Sequence, residues 1–194
     1  MGIGRLITTV LIVLALSGPA SLAAQESPYE VSGRPPSGEE LVMVFLTSHA
    51  CGPSQRPEVI EAVRKIKRRL ASYTDSVGRP FSAVGVSAGW DVEAGIEHLR
   101  KYGAFDELIS GRSWYNTAGV RYWHRTFPAK ASTPQIVLTE QRVELVQGEP
   151  IRVASTGDTL YEARAEYGDE VLVHRAGDSE AIVEWAESGA PLPK

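Results

Sequence analysis

The sequence has a single cysteine, Cys51, among its 194 residues. One cysteine excludes an internal disulfide, so the folded chain must be held together by packing alone. Apolar residues make up 43% of the sequence, which is enough for a hydrophobic core and too many for a disordered chain. An unpaired thiol in an oxidising compartment is able to react or to pair between chains, so Cys51 is a candidate functional residue.

The sequence also lacks a large excess of charge of one sign. The net charge is −4 and no long run of like charges occurs, which argues against nucleic acid as a partner. The sequence lacks metal-ligand spacing too, because its four histidines (His49, His98, His124 and His174) form no ligand motif with one another or with Cys51. Residues 85–89 lack the glycine spacing of a dinucleotide-binding loop. We therefore predict no metal site and no cofactor.

The longest hydrophobic run covers only residues 6–16, and it follows the basic residue Arg5. It is shorter than the roughly 20 apolar residues that a transmembrane helix needs. Small residues at positions 21 and 23 match a cleavage site, so residues 1–24 are predicted to be a signal peptide. The alternative is an uncleaved N-terminal anchor. Residues 25–40 are rich in Pro, Gly and Ser and read as a flexible leader. The protein is thus predicted to be exported, periplasmic or secreted, without stable membrane insertion after cleavage.

The following segments predict an α/β fold. Residues 41–47 form an apolar run of strand length, residues 57–73 have helical periodicity, and residues 81–87 form a second apolar run. This order indicates a βαβ unit. In the first helix the residues Arg64, Lys65, Lys67, Arg68 and Arg69 are assigned to a solvated face rather than to an anion site.

The second half of the chain is less regular. Asp91 is a candidate cap for a helix that ends at Gly103 and buries Val92, Ile96, Leu99 and Tyr102. The aromatic segment 113–127 is assigned to core packing rather than to a ligand-stacking surface. A strand is predicted at 135–139, further extended stretches at 142–147 and 170–175, turns at 147–150 and 156–158, and a final helix at 179–188 capped by Ser179. The pairing of the extended stretches stays open, and residues 153–167 are interpreted as a helix-poor insertion.

The chemistry is concentrated in the segment His49-Ala50-Cys51-Gly52-Pro53-Ser54, between the first strand and the first helix. Backbone N–H groups and the positive end of a helix dipole at such a place favour a thiolate, which is the nucleophile of disulfide exchange. Gly52 and Pro53 predict a tight turn with Cys51 at its exposed edge. A Cys51–His49 or Cys51–His124 pair for acyl transfer is the weaker alternative, because no oxyanion hole or orienting third residue is recognisable.

The motif Cys51-Gly52-Pro53-Ser54, its strand–helix context and the downstream pair Thr133-Pro134 resemble the thioredoxin superfamily. The resemblance covers roughly residues 41–139 and is nearest to the exported thioredoxin-like proteins of cytochrome c maturation. It implies a three-layer sandwich over residues 41–194, with a mixed central sheet and flanking helices. It also implies that Cys51 is the redox nucleophile, that Gly52, Pro53 and Thr133 contact the substrate, and that Pro134 is a cis-proline facing Cys51.

Two departures from the family pattern decide the expected activity. Ala50 replaces the usual tryptophan, and Ser54 replaces the second cysteine, which in the family resolves mixed disulfides. A serine hydroxyl forms no disulfide, so the expected activity is monothiol disulfide exchange with protein or small-molecule thiols, resolved by an external thiol. A Cys51–Cys51 homodimer is a further expected product. The alternative function is a non-catalytic thioredoxin-like binding or scaffold domain.

Overall fold

The strand β1 lies at the centre of a five-stranded mixed sheet in a computed structural model of the chain, which describes residues 28–31, 37–152 and 159–192. The order of the strands is β3-β2-β1-β4-β5. The strands are β1 (Gly38–Thr47), β2 (Phe81–Ser87), β3 (Glu107–Ser110), β4 (Gln135–Arg152) and β5 (Thr159–Ala176). The helices are α1 (Pro57–Ser76), α2 (Val92–Arg100), α3 (Thr117–Gly119, continued by a π-helical segment at Val120–Arg125) and α4 (Ser179–Glu187). The predicted α/β class with a mixed sheet is confirmed.

The pairing of the strands answers the question that the sequence left open. β1 pairs in parallel with β2 and antiparallel with β4, while β4 and β5 form a long antiparallel hairpin. The predicted stretch 142–147 is therefore a continuation of β4, and 170–175 belongs to β5. The turn predicted at 147–150 is wrong, because the strand continues there through a register shift. The turn predicted at 156–158 and the signal peptide predicted at 1–24 lie outside the described residues.

Each face of the sheet carries its own apolar cluster. Alternate side chains of β1 point to opposite faces, as the pleat of a strand requires. Leu41, Met43 and Phe45 pack with α1 and α4, whereas Val42, Val44 and Leu46 pack against the aromatic segment after β3. This double burial explains why β1 reads as a continuous apolar run rather than as an alternating one.

The aromatic segment mainly serves packing, as predicted. Trp123 and Tyr122 are buried, and Trp114 packs against Trp123 with ring centroids 4.8 Å apart. Tyr115 is the exception, because 67% of it is exposed. The predicted strand β2 is confirmed at both ends, whereas β1 begins at Gly38 and so includes the last residues of the predicted leader.

Three local predictions are wrong. Val92, predicted to be buried, is half exposed, whereas Leu99 and Tyr102 are buried as predicted and Gly95 and His98 complete the buried face. Asp178, not Ser179, caps α4, since its side chain accepts a hydrogen bond from Ala181 N. Lys67, assigned to the solvated face of α1, is fully buried.

The buried Lys67 ammonium donates a hydrogen bond to the carbonyl of Ala104 and lies 3.7 Å from the centroid of the Phe105 ring. Tyr29, which precedes the sheet, packs edge-on against Phe81 and donates a hydrogen bond to Asp106. Desolvation, helped by the nearby Arg64, lowers the pKa of Lys67 to about 7, while Asp106 opposes that change. A buried cation of this kind destabilises the folded state, because the charge is removed from water.

Candidate functional site

The candidate site begins where β1 ends at Thr47. Cys51 N donates to Ser48 O at 3.0 Å, and Gln55 N donates to Gly52 O at 2.9 Å, so the motif folds as two successive tight turns. Gly52 and Pro53 are exposed and Cys51 is half-buried at their edge, as the sequence predicted. A short 3-10 helix (Pro53–Gln55) follows, and α1 begins only at Pro57. The start of α1 at Pro57 is as predicted, and the short 3-10 turn lies between Cys51 and this helix.

Thr133 and Pro134 lie beside Cys51, although 82 residues separate Thr133 from Cys51 in the chain. The Cys51 thiol donates to Thr133 O at 3.2 Å, and the Thr133–Pro134 peptide bond is cis, as predicted. The register of the sheet produces this approach. Leu46, near the end of β1, pairs with Gln135 at the start of β4, which carries the preceding loop to the cysteine.

Competing effects act on the thiol. Partial burial raises the pKa of Cys51, but the nearby side chains of Ser54 and Thr133 and the Ser54 backbone favour the thiolate and outweigh it, so the pKa is lowered overall. Ser54 is fully buried, and its hydroxyl has no partner at ordinary hydrogen-bonding geometry. The same hydroxyl is close enough to the sulfur to favour its negative charge. Ser54 thus supports a thiolate without being able to bond to it covalently.

A buried polar cluster lies beneath the motif and fixes its position. Tyr102 donates a hydrogen bond to Ser54 O, and the His98 ring contacts Tyr102 and, at 2.9 Å, the hydroxyl of Thr47. Burial lowers the pKa of His98 to about 4, with Lys101 and His49 adding to the effect, so the ring is neutral at pH 7. Burial also raises the pKa of Tyr102 to about 12. This uncharged cluster connects the end of β1, α2 and the cysteine turn.

A second network holds the loop that contains Thr133. The amide of the buried Gln135 donates to Lys130 O and to the Ser132 hydroxyl, and its oxygen accepts from Trp123 and Arg175. Gln135, His98 and Tyr102 support the site, but the sequence did not predict this role for them. A polar residue at the first position of an apolar strand was the one available signal for Gln135.

A groove of about 500 Å³ adjoins Cys51. It is lined by residues 48–51 of the cysteine turn, by residues 88–91 after β2, by Ser113 and Trp114, and by Thr133. The groove leaves one side of Cys51 accessible. Trp90 and Trp114 supply its large apolar surfaces.

The alternative chemistries find little support in this geometry. His124 is exposed and does not line the groove, and His49, which does, makes no hydrogen bond to Cys51. No group of three or more metal-ligating side chains occurs among the described residues. In the same part of the chain, no helix has the length and apolarity to cross a membrane.

Comparison of the chain with protein-family models, with curated proteins and with solved structures finds no match. The candidate site therefore rests on the geometry described above.

Proposed function

We propose that the protein is an exported monothiol disulfide-exchange protein with a thioredoxin-like fold, in which Cys51 is the nucleophile. The observation that carries the proposal is the setting of the Cys51 thiol. It is half-buried at the mouth of a groove, contacts Thr133 O at 3.2 Å, and has a lowered pKa beside a buried serine. Low pKa combined with access distinguishes reactive cysteines from inert buried ones.

The finer assignment of the fold is part of the proposal. The strand order β3-β2-β1-β4-β5, with the cysteine turn after the central parallel strand and an antiparallel hairpin beyond it, is compatible with a thioredoxin-like three-layer sandwich. Apolar clusters on both faces of the sheet support the three layers. The roles of Gly52, Pro53, Thr133 and Pro134 in holding the substrate belong to the same proposal.

The proposed reaction has two exchange steps. The Cys51 thiolate attacks one sulfur of a substrate disulfide, an S–S bond forms between Cys51 and that sulfur, and the other substrate sulfur leaves as a thiolate. An external thiolate then attacks the mixed disulfide and releases Cys51. The electrons come from the external thiol, and the protein itself is neither oxidised nor reduced over the cycle. Since Ser54 has no sulfur, the mixed disulfide persists until the external thiol arrives.

The first prediction concerns the pH dependence of thiol reactivity. Because the folded environment lowers the pKa of Cys51, the rate of alkylation by iodoacetamide is expected to reach half of its maximum at a lower pH than for the same thiol in the urea-unfolded protein. The unfolded protein is the matched control, and Cys51→Ser supplies the blank. The two profiles are compared by mass spectrometry between pH 5 and 10. An equal or higher midpoint in the folded protein would favour the scaffold function.

The second prediction concerns export. If residues 1–24 are a signal peptide, the mature chain begins near Ala24 or Gln25, because the residues at positions 21 and 23 are small. N-terminal sequencing of the protein isolated from its native host measures the start directly. Recovery of the chain with Met1 intact in a membrane fraction would instead identify an uncleaved anchor.

A further inference from the structure

One wall of the groove is formed by two segments that hydrogen bonds join together. Ser113 N donates to Gly89 O at 2.9 Å, and the Asn116 side chain donates to Ser87 O at 3.3 Å. The His49 ring lies against Gly89 so closely that a Cβ on that residue would come within 2.6 Å of it. The loop after β2 and the turn before α3 therefore form one continuous wall beside Cys51.

The backbone of this wall is strained. Gly111, Arg112 and Ser113 have consecutive positive φ angles of 90°, 54° and 50°, and two of these residues are not glycine. A left-handed conformation is unfavourable for a residue other than glycine, so it persists only where other contacts impose it. Here the hydrogen bonds of Ser113 and Asn116 impose it. The strained turn places Trp114 in the lining of the groove, and the Trp114 indole packs on Trp123 there.

Trp90 supplies the other large surface of the groove and is 74% exposed. An indole left in water next to a reactive thiol is a ready contact surface for an aromatic or large aliphatic side chain. The charges of the lining residues give a second indication of which substrates fit the groove. None of its lining residues is Lys or Arg, and the one carboxylate, Asp91, already accepts a hydrogen bond from Ala94 N as the cap of α2. The lining therefore provides no cation to anchor a substrate carboxylate.

We propose that the Trp90–Trp114 groove binds a polypeptide segment that carries a large apolar side chain next to its cysteine, and that it discriminates against small acidic thiols such as glutathione. The inference rests on the proposed exchange function and specifies its substrate. The substrate sulfur meets Cys51, the apolar side chain lies between the two indoles, and the exchange follows the two balanced steps given above.

The third prediction tests this specificity with defined disulfides. Four probes are compared: Ac-Ala-Cys-Trp-Ala-amide, Ac-Ala-Cys-Ala-Ala-amide and Ac-Ala-Cys-Glu-Ala-amide, each as its mixed disulfide with 2-thiopyridine, and the 2-thiopyridyl disulfide of glutathione. Attack of Cys51 on the peptide sulfur releases 2-thiopyridone, whose absorbance gives the rate. The tryptophan peptide is expected to react about tenfold faster than the alanine peptide, as one aromatic contact provides. The glutamate peptide and glutathione are expected to be the slowest.

Two matched variants locate the effect. Trp90→Ala is expected to remove the advantage of the tryptophan peptide, so that the ratio of its rate to that of the alanine peptide falls from about ten to about one. Tyr115→Ala removes an almost equally exposed aromatic residue that does not line the groove, and it is expected to change neither rate. If the probes react but the tryptophan peptide has no advantage, or if glutathione reacts fastest, the specificity proposal is overturned and the exchange function stands. If no probe reacts with folded protein, both proposals fail.

Discussion

Replacing Ser54 with cysteine is expected to convert the protein from a monothiol into a self-resolving dithiol that reduces insulin when coupled to a reductant. Ser54 is buried beside Cys51 and its hydroxyl already approaches the Cys51 sulfur. A thiol at position 54 then attacks the mixed disulfide within the molecule. Because intramolecular attack corresponds to effective concentrations far above those of millimolar external thiols, resolution should accelerate by more than about a thousandfold.

The requirement is geometric, since the two Cα atoms must lie about 4.4–6.8 Å apart to form a disulfide. The matched control is Gln55→Cys, which adds a thiol to the same turn at an exposed position. Insulin turbidity gives the activity, and mass spectrometry of the oxidised proteins gives the products. Wild type should accumulate mixed disulfides and Cys51–Cys51 dimers, whereas Ser54→Cys should yield an internal disulfide. Equal activity of the two cysteine variants would contradict the arrangement proposed for the site.

The second large effect is expected from Lys67→Met. The folded pKa of Lys67 is about 7, against 10.5 for an ordinary lysine, so at pH 6 both the folded and the unfolded states carry the charge and its full burial penalty is present. Between about pH 7 and 10.5 the unfolded state binds more protons, and the stability of the wild type rises with pH. The lowered pKa of Lys67 corresponds to a change of about 3–5 kcal/mol in the free energy of unfolding over this pH range. Replacing the buried charge with methionine removes this penalty. Part of the stability gained is offset, because methionine loses the hydrogen bond to Ala104 O and the contact with the Phe105 ring.

Lys67→Met is therefore expected to be more stable than wild type by roughly 1–3 kcal/mol at pH 6, and to lose this advantage by pH 10. The charged or titratable groups near Lys67 are Arg64, Asp106 and Tyr29, and all of them remain in the variant. Urea unfolding at pH 6, 8 and 10 measures the difference. Lys65→Met, at an exposed position of the same helix, is the control and should show no pH-dependent difference. A difference for Lys67→Met that is independent of pH would contradict the buried-cation assignment.

The sequence predicts well what is determined locally. The bounds of β2, the start of α1 at Pro57 and the exposed turn at Gly52 and Pro53 all follow from short apolar runs and from turn residues, and the structure has them as predicted. The proximity of Thr133 to Cys51 was predicted from a resemblance rather than from the residues alone. Without that resemblance, nothing in the local sequence connects two positions so far apart.

What could not be predicted is the set of buried polar residues. His98 and Lys67 look like surface residues in the sequence, because the pattern of polar and apolar residues shows that they are polar but does not show their hydrogen-bond partners. The partner of His98 is Thr47, which lies on another element, and the partner of Lys67 is the carbonyl of Ala104. Such pairings are visible only once the tertiary structure brings the segments together.

The central position of β1 has a consequence for the order in which the site is assembled. β1, α1 and β2 are contiguous in sequence, whereas β4 reaches β1 only across a chain separation of nearly one hundred residues, as in the pair Val42 and Thr139. Contacts between distant segments carry the larger entropic penalty and form late. The Cys51 thiol therefore belongs to the contiguous part of the fold, and it acquires its Thr133 neighbour only when β4 pairs with β1. Assembly of the candidate site thus depends on a long-range strand pairing.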